Sequence, residues 1–254
     1  MSSVPASRAV LVTGASRGIG RAVAHAFAAR GDRVVVHSGS SREAAERVAA
    51  ELPGSGHAVV QADVADPEAV GAAVDEAAAA LGGLHVLVNN AGVFTPHPPL
   101  ETSWADWQAV VARTLQVNLV GAMHATFRAV PHLVAAGGGA VVNVTSRGAF
   151  RGEPATPAYG AAKAGLNAFG QSIAQALAPH GISVGSVAPG FVQTEMAREI
   201  LDGPGGDAVR AQSPYGRVAR PEEVAAAVLW LASPEARFST GTIIDVNGAS
   251  YLRS

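Results

Sequence analysis

Cysteine is absent from this 254-residue chain, and lysine occurs once, at Lys163, among eighteen Lys and Arg positions. Without a thiol there is no disulfide, no thiolate nucleophile and no thiolate metal site, which fits a reducing cytoplasm. No two of the eight histidines form a close pair of metal-ligand type, so no metal centre is expected. The formal net charge is −2 and no stretch concentrates basic residues, which leaves nucleic acid and anionic membrane surfaces without an electrostatic footprint. The longest apolar helical segment, Val224 to Ala232, falls well short of the ~20 residues of a bilayer span. Met1 to Arg8 lack the apolar run of a signal peptide. A cytoplasmic protein is expected, with neither nucleic acid nor membrane as partner.

What the chain does have is 29 glycines and 48% hydrophobic residues, the composition of a compact fold with many tight turns. Short apolar runs centred on Val10–Val12, Val34–Val36, Ala58–Val60, Val86–Val88, Ala140–Val142, Ser183–Val187 and Ile243–Val246 read as strands. Most are apolar on both faces, as in a parallel sheet buried between helix layers. Helical patterns fill the gaps over Gly18 to Arg30, Ser41 to Leu52, Pro67 to Leu81, Trp104 to Ala135, Pro157 to Ala178 and Pro221 to Leu231. This alternation predicts an α/β, Rossmann-type doubly wound parallel sheet of about seven strands with helices on both faces. No linker or repeat divides the chain, so residues 1–254 are expected to form one domain, with Asp202 to Asp207 as a flexible insertion.

The first strand runs directly into Thr13-Gly14-Ala15-Ser16-Arg17-Gly18-Ile19-Gly20 and then a helix. Glycines there let the backbone turn tightly and approach a pyrophosphate, and the helix N-terminus offers free N–H groups to its charge; a ligand-free turn is the alternative. Tyr159 and Lys163 stand four residues apart, on one helix face. An ammonium so placed favours the phenolate and lowers the phenol pKa; a surface tyrosine and a solvated lysine would look the same in sequence. Asn118 read alone is a helix-interior asparagine bonded to its own backbone, and Ser146 a strand-end turn residue.

Taken together and in order, these motifs resemble those of the short-chain dehydrogenase/reductase family of single-domain type, over essentially the whole chain. The likeness is carried by the glycine loop, Asp63-Val64 after the third strand, Asn89-Asn90-Ala91-Gly92 after the fourth, and Asn118 in the long helix. Ser146, thirteen positions before Tyr159, and Pro189-Gly190 with Thr194 complete it. The resemblance implies hydride transfer between a nicotinamide cofactor and a carbonyl, with Ser146, Tyr159, Lys163 and Asn118 as catalytic residues. Ser146 and Tyr159 would donate hydrogen bonds to the carbonyl oxygen, Tyr159 would supply the proton, and Lys163 would also bind the nicotinamide ribose. Asn118 would hold a bend in its helix and connect Lys163 to solvent through water.

Cofactor binding is expected at Gly14, Ser16, Arg17, Gly18, Ile19 and Gly20, at Asp63 and Val64, and at Asn90, Ala91 and Gly92. Tyr159, Lys163, Pro189, Gly190, Val192 and Thr194 are expected to join them. At the end of the second strand, where NAD-preferring forms carry an acid, this chain has Ser38, Ser40, Ser41 and Arg42. With Arg17 these residues suit a 2′-phosphate, so NADP(H) is expected in preference to NAD(H).

Relatives of this kind close a flexible lid, here around residues 191–216, over the substrate. The expected pocket residues are Phe94, Arg147, Phe150, Phe191 and Met196, with His97 as a further candidate. The resemblance is to the 3-oxoacyl-acyl-carrier-protein reductase and carbonyl reductase group. Yet the stretches 130–139 and 171–177 carry no Arg or Lys for an acidic carrier protein. A small free ketone is therefore favoured. An alcohol dehydrogenase working oxidatively and a nucleotide sensor without activity are the alternatives, and a homotetramer, or else a homodimer, is expected by analogy.

Overall fold

A computed structural model describes residues 7–253, so most of the stretch read for a signal peptide lies outside the described residues. Seven strands form one fully parallel sheet in the order β3-β2-β1-β4-β5-β6-β7. They are β1 (Ala9–Val12), β2 (Arg33–Ser38), β3 (Ala58–Gln61), β4 (Val86–Asn89), β5 (Gly139–Val144), β6 (Ile182–Pro189) and β7 (Ile243–Val246). The order reverses between β1 and β4, the two central strands reached from opposite directions, and that crevice is where an open α/β sheet binds ligands.

Burial on both faces explains the continuous apolar strands. Along β1, Val10 and Val12 pack into a core with α1 (Gly18–Ala29), α2 (Arg42–Glu51) and α10 (Pro221–Leu231). Ala9 and Leu11 alternate to the opposite face, where α3 (Pro67–Leu81), α5 (Gly121–Ala135) and α7 (Pro157–Leu177) close the second core. Helix starts follow side-chain chemistry: Ser41 accepts from the Ala44 N–H at 3.2 Å at the start of α2. Asp66 accepts from Glu68 and Ala69, each at 3.0 Å, ahead of Pro67 in α3.

Two expectations change. The stretch expected as one helix, Trp104 to Ala135, is α4 (Trp104–Leu115), a wider π-turn over Gln116–Val120, and then α5. The segment expected as a flexible insertion, Asp202 to Asp207, holds the end of α8 (Glu195–Asp202), a three-residue joint and the start of α9 (Gly206–Ala211). Among the described residues no helix is long and apolar enough to cross a membrane.

Candidate active site

A cleft of about 710 Å³ opens at the C-terminal ends of the central strands. Its floor at one end is the β1–α1 loop. Gly14 has φ +64°, and a Cβ there would stand 2.9 Å from Ala91 Cα, so both the turn and the close approach require glycine. Gly20 packs its Cα face against the Gly14 carbonyl and lies behind the cleft lining, so it shapes the loop from beneath. Asn90 ties the loop to β4, its Nδ2 donating to the carbonyls of Thr13 at 2.9 Å and Gly14 at 3.0 Å. Arg17 precedes α1 without a side-chain cap, leaving the first N–H groups of the helix for an anion.

Beneath this loop sits a residue that sequence reading passed over. His37 is buried at the end of β2, its Nδ1 accepting from the Gly14 N–H at 3.0 Å and its Nε2 donating to the Ala62 carbonyl at 3.0 Å. Desolvation pushes its pKa down to about 4, so the ring is a neutral wedge between two backbone segments. The signal available in sequence was a polar ring directly after the apolar run Val34-Val35-Val36.

Ser38, Ser40, Ser41, Asp63 and Val64 line the same end of the cleft. Arg42 does not: it pairs with Glu46 one turn along α2, and the arginine of this helix that lines the cleft is Arg47, itself paired with Glu43 at 2.7 Å. Asp63 is bound at 2.7 Å by Arg113, which holds its carboxyl below the usual carboxylate range.

At the other end, β5 delivers Ser146, while α7 delivers Tyr159 and Lys163 to the cleft wall. Lys163 is buried, donates from Nζ to the Val144 carbonyl at 2.8 Å, and lies 5.8 Å from the centroid of the Tyr159 ring. The phenol ring meets Phe94 edge-on, with centroids 4.9 Å apart. The expected depression of the phenol is not found in the protein alone. Burial raises the Tyr159 pKa to about 12, against a lowering contribution from the Ser146 hydroxyl, and burial brings Lys163 down to about 8. The Glu153 carboxylate adds to the rise, while the Lys163 ammonium, bonded to Val144, does not counter it.

Asn118 lies in the π-turn and behind the cleft lining. Its amide clamps one residue of the neighbouring segment, Oδ1 accepting from the Val93 N–H at 2.8 Å and Nδ2 donating to the Val93 carbonyl at 2.9 Å. A Cβ at Gly92 would be 3.2 Å from Asn118 Oδ1 and 3.7 Å from Lys163 Nζ, so the two side chains face each other across this glycine.

Of the expected pocket residues, Phe94, Arg147, Phe191 and Met196 line the cleft. Phe150 does not: its ring lies under the Arg253 guanidinium at 4.4 Å and its carbonyl accepts from the Tyr251 hydroxyl, so the C-terminal segment covers it. His97 is also no pocket residue. It is buried, accepts from the Ala158 N–H at 3.1 Å and donates to the Thr95 carbonyl at 2.7 Å, anchoring the start of α7. Arg147 is buried against the Phe191 ring and donates to Ser250 Oγ at 2.6 Å. Glu153, which sequence reading did not single out, lines the cleft beside these groups.

A protein family described as enoyl-(acyl carrier protein) reductase matches residues 14–249. The chain is 42% identical to cis-4-hydroxycyclohexanecarboxylate dehydrogenase of Sinomonas cyclohexanicum, covering 96% of each chain. It is 36% identical to a 3-oxoacyl-[acyl-carrier-protein] reductase of Staphylococcus aureus, over 97% of this chain and 99% of that one. A short chain dehydrogenase from Burkholderia cenocepacia, solved in complex with NADP, superposes with a TM-score of 0.86 at 37% identity, covering 96% of this chain and 98% of that one. A match over nearly the whole length, on a sheet of this order with its crevice between β1 and β4, has one consequence for identity. The chain belongs to the short-chain dehydrogenase/reductase family and is an NAD(P)-dependent oxidoreductase.

Proposed function

We propose that this enzyme reduces the keto group of a small substrate to a secondary alcohol, with NADPH preferred and Tyr159 as the proton donor. The observation that carries this reading is the convergence of Ser146, Tyr159 and Lys163 on one wall of the cleft. The residues present fit a dinucleotide: a positive-φ glycine loop, an uncapped helix N-terminus above it, and hydroxyls after β2 flanked by Arg17 before α1 and Arg47 on α2. The bound nicotinamide would supply the hydride to the carbonyl carbon.

The chain's own groups do the rest. Ser146 and Tyr159 hydrogen-bond the carbonyl oxygen, where negative charge builds, and the phenol gives up its proton to that oxygen. A phenol pushed up to about 12 is protonated at neutral pH, the form a proton donor needs. Lys163, still cationic at neutral pH with a pKa brought down to about 8, favours the phenolate left behind. Asn118 is a positioning residue, holding the Val93 segment and the π-turn behind Lys163. The segment 191–216, with α8 and α9, covers the substrate.

We read the preferred substrate as a free ketone, because residues 130–139 and 171–177 offer no Arg or Lys to an acidic carrier. A homotetramer in the cytoplasm completes the proposal; the exposed Trp104 of α4 and Phe127 of α5 support contact between copies along the long helices. The test is oxidation of NADPH and NADH against a panel of ketones, β-keto esters and an acetoacetyl thioester. Tyr159→Phe is expected to lower kcat by about a hundredfold or more. Turnover that survives this change would overturn the assignment.

A further inference from the structure

The cleft holds a charge that the reaction does not use. Glu153, in the segment between α6 (Gly148–Arg151) and α7, is half-buried and lines the cleft with Ser146 and Tyr159. A Cβ placed on Gly148 would stand 3.0 Å from Glu153 Oε1 and 3.3 Å from Ser146 Oγ, so carboxylate and hydroxyl border the same small volume. The two nearest guanidinium groups in sequence are engaged elsewhere, Arg147 with Ser250 at 2.6 Å and Arg151 with Gln212 at 3.0 Å. Among the described residues the Glu153 carboxylate has no hydrogen-bond donor within 3.5 Å and no ion-pair partner within 4.0 Å, although the Arg147 guanidinium is near enough to feel its charge.

An ionised carboxylate is acceptor-only, and in a half-buried site it lacks part of the water that would satisfy it. It also stands where charge develops on the reacting oxygen, which makes it a liability for reduction of a bare ketone. A substrate hydroxyl would satisfy the carboxylate and offset that liability. The apolar ring of Phe94 and the side chain of Met196 line other parts of the cleft and offer no such contact.

We propose that Glu153 is a specificity-determining residue that accepts a hydrogen bond from a hydroxyl on the carbon next to the reacting carbonyl. The enzyme then selects neutral α-hydroxy ketones, and the corresponding vicinal diols in reverse, over deoxy ketones and over substrates with a carboxylate at that position. This rests on the reductase reading above. A carboxylate reads the hydroxyl through a charge-assisted bond, so the deoxy analogue leaves it unpaired and an anionic group is repelled.

The experiment compares kcat/KM for an α-hydroxy ketone, its deoxy analogue and a 3-oxo acid, in the native enzyme, Glu153→Gln and Glu153→Ala. Tyr159→Phe and NADPH titration of each variant serve as controls. The native enzyme is expected to favour the hydroxy ketone over the deoxy ketone by about tenfold or more. That ratio falls part of the way in Glu153→Gln, which keeps shape and an acceptor oxygen but loses charge, and approaches one in Glu153→Ala. Relative activity on the 3-oxo acid rises in both. An unchanged ratio in both variants, or a native preference for the deoxy ketone or the acid, overturns the proposal while leaving Tyr159-dependent turnover intact. Turnover that ignores Tyr159→Phe, or none with any ketone, overturns the reductase reading and this proposal with it.

Discussion

His37 and Lys163 are buried bases beneath opposite ends of the same cleft, and burial pushes both towards their neutral forms, to about 4 and about 8. The difference lies in their partners and in where those pKa values fall against neutral pH. Both ring nitrogens of His37 are engaged, with Gly14 and with Ala62, and the ring is uncharged. Lys163 gives one bond to Val144 and remains cationic, with protons left over. The same desolvation therefore makes a structural wedge under the glycine loop and a stored charge beside Tyr159. In the function proposed above, binding at the first end would depend on backbone held in place, and chemistry at the second on a group kept under-partnered.

The largest expected effect tests the second half of that contrast. Lys163→Met should lower kcat by about a hundredfold or more, because the ammonium no longer favours the phenolate. Stability should respond in the opposite sense. The folded pKa of Lys163 lies below the ordinary 10.5, so between about 8 and 10.5 the unfolded chain binds more protons than the native protein. Native stability therefore rises with pH across that window, by about 3 kcal/mol when complete. The methionine variant should lack this rise and be the more stable protein near neutrality. Denaturant unfolding of the nucleotide-free proteins at about pH 7 and about pH 10 measures both slopes. Equal slopes would mean that Lys163 carries no buried charge.

His37→Leu tests the first half. Removing the ring leaves the Gly14 N–H and the Ala62 carbonyl unpaired, a loss of about 1–3 kcal/mol at neutral pH. The folded pKa of His37 is again depressed, so the unfolded chain binds the extra proton between about 6.5 and 4. Native stability then falls as pH drops through that window, and the variant should lose less between about pH 7 and about pH 4.5 than the native protein does. Identical acid losses would show that the imidazole is not a desolvated neutral group.

Much of this was legible in sequence. The strands could be read because a parallel sheet buried on both faces leaves uninterrupted apolar runs such as Val34-Val35-Val36. The motif positions followed from the order of the elements. What escaped reading depended on rotation and on distant contacts. Apolar periodicity runs unbroken through 104–135, so it gives no sign of the π-turn that Asn118 occupies. Spacing puts Tyr159 and Lys163 on one face, yet it is silent on the Val144 carbonyl that draws the ammonium away. Phe150 was misplaced because Tyr251 and Arg253, about a hundred positions away, cover it.

The smallest effect sharpens the nucleotide end, where exposed charge has to act through solvent. Arg47 lines the cleft and Arg42 lies outside it; each is paired one turn away, with Glu43 and Glu46, and both side chains are more than half exposed. Solvent screening limits what either can contribute, so Arg47→Ala should weaken NADPH by about two- to fivefold, with less effect on NADH. Arg42→Ala should change neither. Ser38→Asp, which puts a carboxylate where a 2′-phosphate would lie, should shift the NADPH-to-NADH preference further, by about tenfold towards NADH. Titration of both nucleotides against the three variants ranks them. If Arg42→Ala costs more than Arg47→Ala, lining the cleft is not what decides which arginine meets the phosphate. If Ser38→Asp leaves the preference in place, the end of β2 does not read the 2′-position at all.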